Sequence, residues 1–207
     1  MDRVSRFGVP LFLIVALAAP LCSAHDMMAP EEETIEILLL RQKSVRDELK
    51  LNEAVSEKIK TYSANQWKKA QDASKLSKSE QDAKFDEMGK ENRQFLETNL
   101  TKAQQERLEQ ITLQVAGLSC ITRPKIAERL QLTADQKSKA KQLQKEASED
   151  LEQLVKSNDS NDRKQEINKL WDKNDHRINQ LLTDSQKATW KQMTGHEFKG
   201  EFVYASK

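Results

Sequence analysis

From Glu31 to Arg123 the chain runs 93 residues without a proline, and Gly89 and Gly117 are the only glycines in that stretch. Proline breaks a helix by removing a backbone donor and clashing with the preceding turn, and glycine weakens one through backbone entropy. The same stretch is rich in Lys, Glu, Gln, Leu, Ala and Arg, all good helix formers.

The apolar residues agree with that reading. Ile35, Leu38, Leu39, Val45 and Leu49 recur at helical intervals, as do Val55, Ile59 and Tyr62 with Trp67 and Ala70 close to the same face. Phe85, Met88 and Phe95 continue the pattern, then Leu108, Ile111, Val115 and Leu118. Ala140, Leu143, Ala147, Leu151 and Leu154 follow, and Ile167, Leu170, Trp171, Ile178 and Leu181 form the last stripe. No segment alternates with period two for long enough to make a strand. The spacing predicts an all-α fold. With 32% of residues charged, each helix can cover one face but the chain cannot fill a thick core. Long amphipathic helices in an extended antiparallel hairpin arrangement are expected, with leftover apolar surface suited to burial in a homodimer.

A short phrase punctuates these stripes. Leu100-Thr101-x-x-Gln104, Leu132-Thr133-x-x-Gln136 and Leu182-Thr183-x-x-Gln186 share one spacing. Threonine is a good N-cap, and a glutamine three residues on can reach back to the cap's own N–H, which completes a capping box. The leucine before each threonine is expected to turn inward and pack near Leu108, Ala140 or Trp190. The phrase therefore marks helix starts, a structural role.

A degenerate copy at Leu51–Val55 has Asn52 as the cap and lacks the glutamine. The copies begin at 51, 100, 132 and 182, so two pairs with nearly equal internal spans lie 81 to 82 residues apart. Val45, Leu49 and Leu51 match Ile126, Leu130 and Leu132 at the first of these offsets. This pattern predicts an internal duplication of a helical hairpin unit. Residues 25–118 would form the first unit, 119–194 the second, and 195–207 a tail docking through Phe198, Phe202 and Tyr204. The join is placed in "GLSCITRP", where Gly117 ends one helix and Pro124 opens the next.

Residues 1–24 have a basic start, an apolar run from Val9 to Ala19 and a small-residue end at Ser23-Ala24. They read as a secretory signal peptide, with cleavage after Ala24 favoured over lipid attachment at Cys22. A periplasmic or secreted location follows as an expectation. Removing them leaves 32 basic and 32 acidic residues, interspersed along the chain. Nucleic acid is not expected as a partner, because its binders carry a basic excess. No second apolar run is long enough for a transmembrane segment. Cys120 then has no intramolecular partner and is expected to be buried.

The L-T-x-x-Q phrase in an exported, helix-only, charge-rich chain resembles the Spy/CpxP group of bacterial periplasmic proteins. The wider pattern, with "VRDELKL", "ERLEQITLQVAG" and "LLTDSQKATWKQMTG", looks like secreted helical proteins of planctomycete-type bacteria. The first resemblance implies a thin all-helical protein acting without nucleotide as a chaperone or envelope-stress accessory. Its partners would be protein clients or an envelope protein.

The alternative is a metal-responsive sensor or a structural envelope protein with one specific protein partner. Asp172 and His176 are four apart and share a helix face, but two side chains do not close a metal site, and His25 and His196 stand elsewhere. No metal and no cofactor is therefore assigned. Nothing marks an enzyme: the chain has no glycine-rich phosphate loop, no nucleophile elbow and no paired cysteine motif. The sequons at Asn99 and Asn158 bear only on a eukaryotic host.

Overall fold

The computed structural model describes residues 32–156 and 163–202. Residues 1–24, His25, the sequon residue Asn158 and Tyr204 lie outside the described residues. Among those described every regular element is helical. In order they are α1 Glu32–Leu40, α2 Lys43–Glu48, α3 Glu53–Ala73, α4 Lys78–Asn99 and α5 Lys102–Ala116. A 3-10 turn at Gly117–Cys120 follows, then α6 Pro124–Arg129, α7 Ala134–Lys156, α8 Arg163–Leu181 and α9 Asp184–Thr194. None of these helices is long and apolar enough to cross a membrane.

The chain divides into two compact units, one of Pro30–Thr112 with the residues from Glu197 on, the other containing Leu113–His196. Both differences from the expected boundaries have a packing cause. Leu113, Leu118, Cys120 and Ile121 share one core with Ile126, Leu132, Ala140 and Ile178, so the end of α5 and the 3-10 turn belong to the second unit. The tail is not separate, because Phe198 is only 1% exposed and Ser44 donates from Oγ to the Glu201 carbonyl at 2.6 Å. Phe202 leans on Phe198 with ring centroids 5.5 Å apart. Gly200 allows this return, since a Cβ there would strike the Phe198 ring and Ser44.

In the first unit, α3 and α4 pair in opposite senses. Tyr62 Oη donates to Asn92 Oδ1 at 3.0 Å, Gln66 Nε2 to Glu91 Oε2 at 2.8 Å, and Lys69 reaches the same Glu91 carboxylate at 2.5 Å. Tyr62 and Phe95 stack with centroids 3.8 Å apart. The apolar core lies at the end of the pair where α1, α2 and α5 join it, with Leu39, Leu40, Val45, Ile59, Leu108 and Ile111 all fully enclosed. Each such aliphatic side chain stabilises the fold by about 1.5–3 kcal/mol on burial. Arg107 binds Glu48 there through Nε at 2.9 Å and Nη2 at 2.7 Å.

In the second unit, α7 and α8 also pair in opposite senses, with Arg177 on Glu146 at 2.7 Å and Lys173 near Asp150 at 3.9 Å. A second small core of Leu151, Ile167, Leu170 and Trp171 sits along this pair.

One corner occurs twice. Lys50 and Gln131, 81 residues apart, both take left-handed φ, at 51° and 52°. After α2 the N–H of Leu51 returns to the Arg46 carbonyl and that of Lys50 to Asp47. After α6 the N–H of Leu132 returns to Ala127 and that of Gln131 to Glu128. This is the paired 6→1 and 5→2 bonding of a Schellman end. The next residue, Asn52 or Thr133, already caps the following helix. Leu132 thus closes one helix and opens another while buried at 6% exposure.

Candidate functional site

The L-T-x-x-Q residues form three capping boxes. The N–H groups of Thr101, Thr133 and Thr183 donate to Oε1 of Gln104, Gln136 and Gln186 at 2.9, 3.0 and 2.9 Å. In return the N–H groups of the glutamines donate to the threonine hydroxyls at 3.3, 3.1 and 3.2 Å. Leu100, Leu132 and Leu182 are buried. Leu132 and Leu182 join the core that holds Ala140, with Trp190 packed against it.

Each glutamine does something further that local sequence does not disclose. Gln104 Nε2 donates to the Leu49 carbonyl at the end of α2, at 3.0 Å. Gln136 Nε2 donates to the Leu181 carbonyl at the end of α8, at 2.8 Å. Gln186 Nε2 reaches the Gln131 carbonyl after α6, at 3.4 Å. Gln136 and Gln186 also exchange amide bonds, at 2.7 and 3.0 Å. The phrase is therefore a clip: the oxygen caps its own helix, and the nitrogen fastens that start to the end of another. Val55 stands where Gln136 would fall in the first unit, so Gln104 works there without a paired amide. The signal that could have revealed this is the amide itself, since a glutamate would cap as well but could not donate.

A second polar cluster surrounds the 3-10 turn. Asp175 on α8 accepts the backbone N–H groups of Leu118 and Ser119 and the Ser119 hydroxyl. Gly117 sits at φ 60°, and a Cβ added there would fall on the Asp175 carboxylate. Ser119 is also held by Asn174 Nδ2 on its hydroxyl at 3.1 Å and by Gln144 Nε2 on its carbonyl at 2.6 Å. Gln144 Oε1 in turn accepts from Thr122 at 3.0 Å. Burial pushes the Asp175 carboxyl up to about 6, with the nearby Asp172 charge adding to it and the hydrogen bonds from Leu118 and Ser119 opposing. The sequence reading passed over Asp175, because its burial depends on a turn more than fifty residues away.

Cys120 is buried, and its Sγ lies 3.1 Å from the Gly117 carbonyl. His176 and Asp172 are exposed, and the His176 ring contacts Gln180 at 3.1 Å. His196 is exposed, with its carbonyl taken by Gln114. Among the described residues no three His, Cys, Asp or Glu side chains are placed to hold a metal ion.

The clips lie at one end of each helix pair, and the opposite ends differ in character. From Lys75 to Glu87 every residue but Gln81 is exposed, including Leu76 at 40% and Phe85 at 41%. In the second unit Val155, in the last turn of α7, is 47% exposed. Phe85 departs from the stripe assigned to it: Met88 is buried at 6%, but α3 ends before it can cover Phe85. Compared with protein-family models, with curated proteins and with solved structures, the chain matches none.

Proposed function

We propose that the protein is an exported, ATP-independent chaperone-like or envelope-stress accessory protein that holds unfolded or partner proteins on its helical surface. In this reading the ends of the helix pairs remote from the clips do the holding, without catalysis. One observation carries it: Leu76, Phe85 and Val155, the large apolar residues left exposed among the described residues, are all at those ends. A holding surface needs shallow apolar contacts interspersed with charge, so that many sequences bind loosely. Lys75, Lys78, Lys84 and Glu87 supply that charge around Leu76 and Phe85. No specific observation favours the metal-responsive sensor or the structural envelope protein.

The test is aggregation of a reduced or heat-denatured client, followed by light scattering with residues 25–207 at near-stoichiometric ratio, without ATP and with albumin as control. Suppression well beyond albumin is expected, and Leu76→Ser combined with Phe85→Ser should weaken it severalfold while helicity and stability stay unchanged. Scattering no different from the albumin control would sink the reading.

A further inference from the structure

The cluster at the 3-10 turn is more than a cap. Asp175, Asn174 and Gln144, from two helices, converge on Ser119, and Asp175 also takes the Leu118 N–H. Asn174 is 2% exposed, and its Oδ1 has no donor. Among the described residues no cation is paired with the Asp175 carboxylate. On its own helix the charge it feels is Asp172, of the same sign. From α7 come Glu146 and Asp150, whose partners are Arg177 and Lys173. The turn itself presents Ser119 and the Cys120 thiol. Asp175 is half-buried, and a carboxylate so placed, with hydrogen bonds but no counter-charge, is costlier in its ionised form than a solvated one.

We propose that this cluster is a pH-sensitive latch: as a neutral acid in mildly acidic medium Asp175 holds the turn, and as a carboxylate at neutral pH it strains the turn, so that the second unit loosens at Gly117–Cys120. The proton is exchanged with solvent. In the neutral acid the carbonyl oxygen still accepts from the turn, while the O–H adds a donor to a cluster whose Asn174 oxygen lacks one. The direction follows from linkage. Burial raises the carboxyl to about 6 in the folded chain, from 3.8 when free. Between those values the folded state keeps a proton that the unfolded chain has released. This group's contribution to stability is therefore full in acid, lost as pH rises through that window, and flat above it.

The test uses residues 25–207 and two readouts. The Asp175 carboxyl is titrated by carbon NMR, and amide exchange at Leu118 and Ser119, corrected for intrinsic rates, is compared at about pH 5 and about pH 7.5. A midpoint near 6 is expected, with protection of the two amides falling by about tenfold at the higher pH. In Asp175→Asn that fall should vanish. Asp172→Asn, at an exposed position, should lower the Asp175 midpoint and so keeps the proposal testable if the first variant does not fold. A midpoint near 4, or an undiminished fall in Asp175→Asn, overturns it.

Discussion

The side chain of Gln136 accepts the N–H of Thr133 with its oxygen and gives its own N–H groups to Leu181 and Gln186. A capping box alone would be served equally by glutamate, which is common at that position. Glutamate would keep the cap but lose both donations, and it would set a carboxylate against the Leu181 carbonyl and the Gln186 oxygen. We therefore expect Gln136→Glu to destabilise the second unit by about 1–3 kcal/mol at neutral pH, through unsatisfied partly buried acceptors. Urea unfolding at neutral pH and again in acid, where the new carboxyl is protonated and can donate, would show the loss and its partial recovery. Equal stability at neutral pH would mean that the clip contributes nothing beyond its cap. The capping half of this site was legible in the sequence, because its partners are three residues apart. The clipping half was not, because Leu49 and Leu181 lie 55 and 45 residues from their glutamines.

Helices were the most legible elements, since one-sided stripes and a lack of breakers leave the backbone little else to do. Their ends were read less well. The leucine-rich corners at Leu49–Leu51 and Leu130–Leu132 matched as sequence, but the left-handed residues within them are Lys50 and Gln131, which carry no local signal for that conformation. An L-residue in that region costs about 1–2 kcal/mol, and glycine escapes most of it. Gln131→Gly and Lys50→Gly should each stabilise the protein against chemical unfolding, by about 1 kcal/mol per corner, and so raise the midpoint. The Gln131 carbonyl that Gln186 uses is kept in the first of these. A fall in stability at either corner would show that its side chain contributes more than the backbone gains. Phe85 was misread for a related reason: the stripe continues along α4, but whether a partner helix reaches that far depends on where α3 stops.

The whole molecule was read least well where distant segments meet. The "GEFVYASK" stretch breaks the helical pattern, which marks it as different but not as belonging to residues far earlier in the chain. Phe198 is nonetheless among the most deeply buried side chains, and it lies in the unit built from residues before 113. Phe198→Ala should cost about 3–5 kcal/mol, the usual range for emptying such a site. Hydrogen exchange should localise that loss to residues 35–111 and leave 113–196 protected. A uniform loss across both units, or none, would contradict this assignment. Asp175 follows the same logic: a helix carboxylate is ordinarily solvated, and only the fold brings the 3-10 turn over it.

That returning phenylalanine also sets an order in time. Chains are synthesised from the N-terminus, and domains generally close as they emerge. Residues 113–196 are contiguous and can complete their core as soon as they are out. Residues 32–112 are made earlier, yet the place for one aromatic ring stays unfilled until residue 198 arrives. The half that begins first is the half that is finished last.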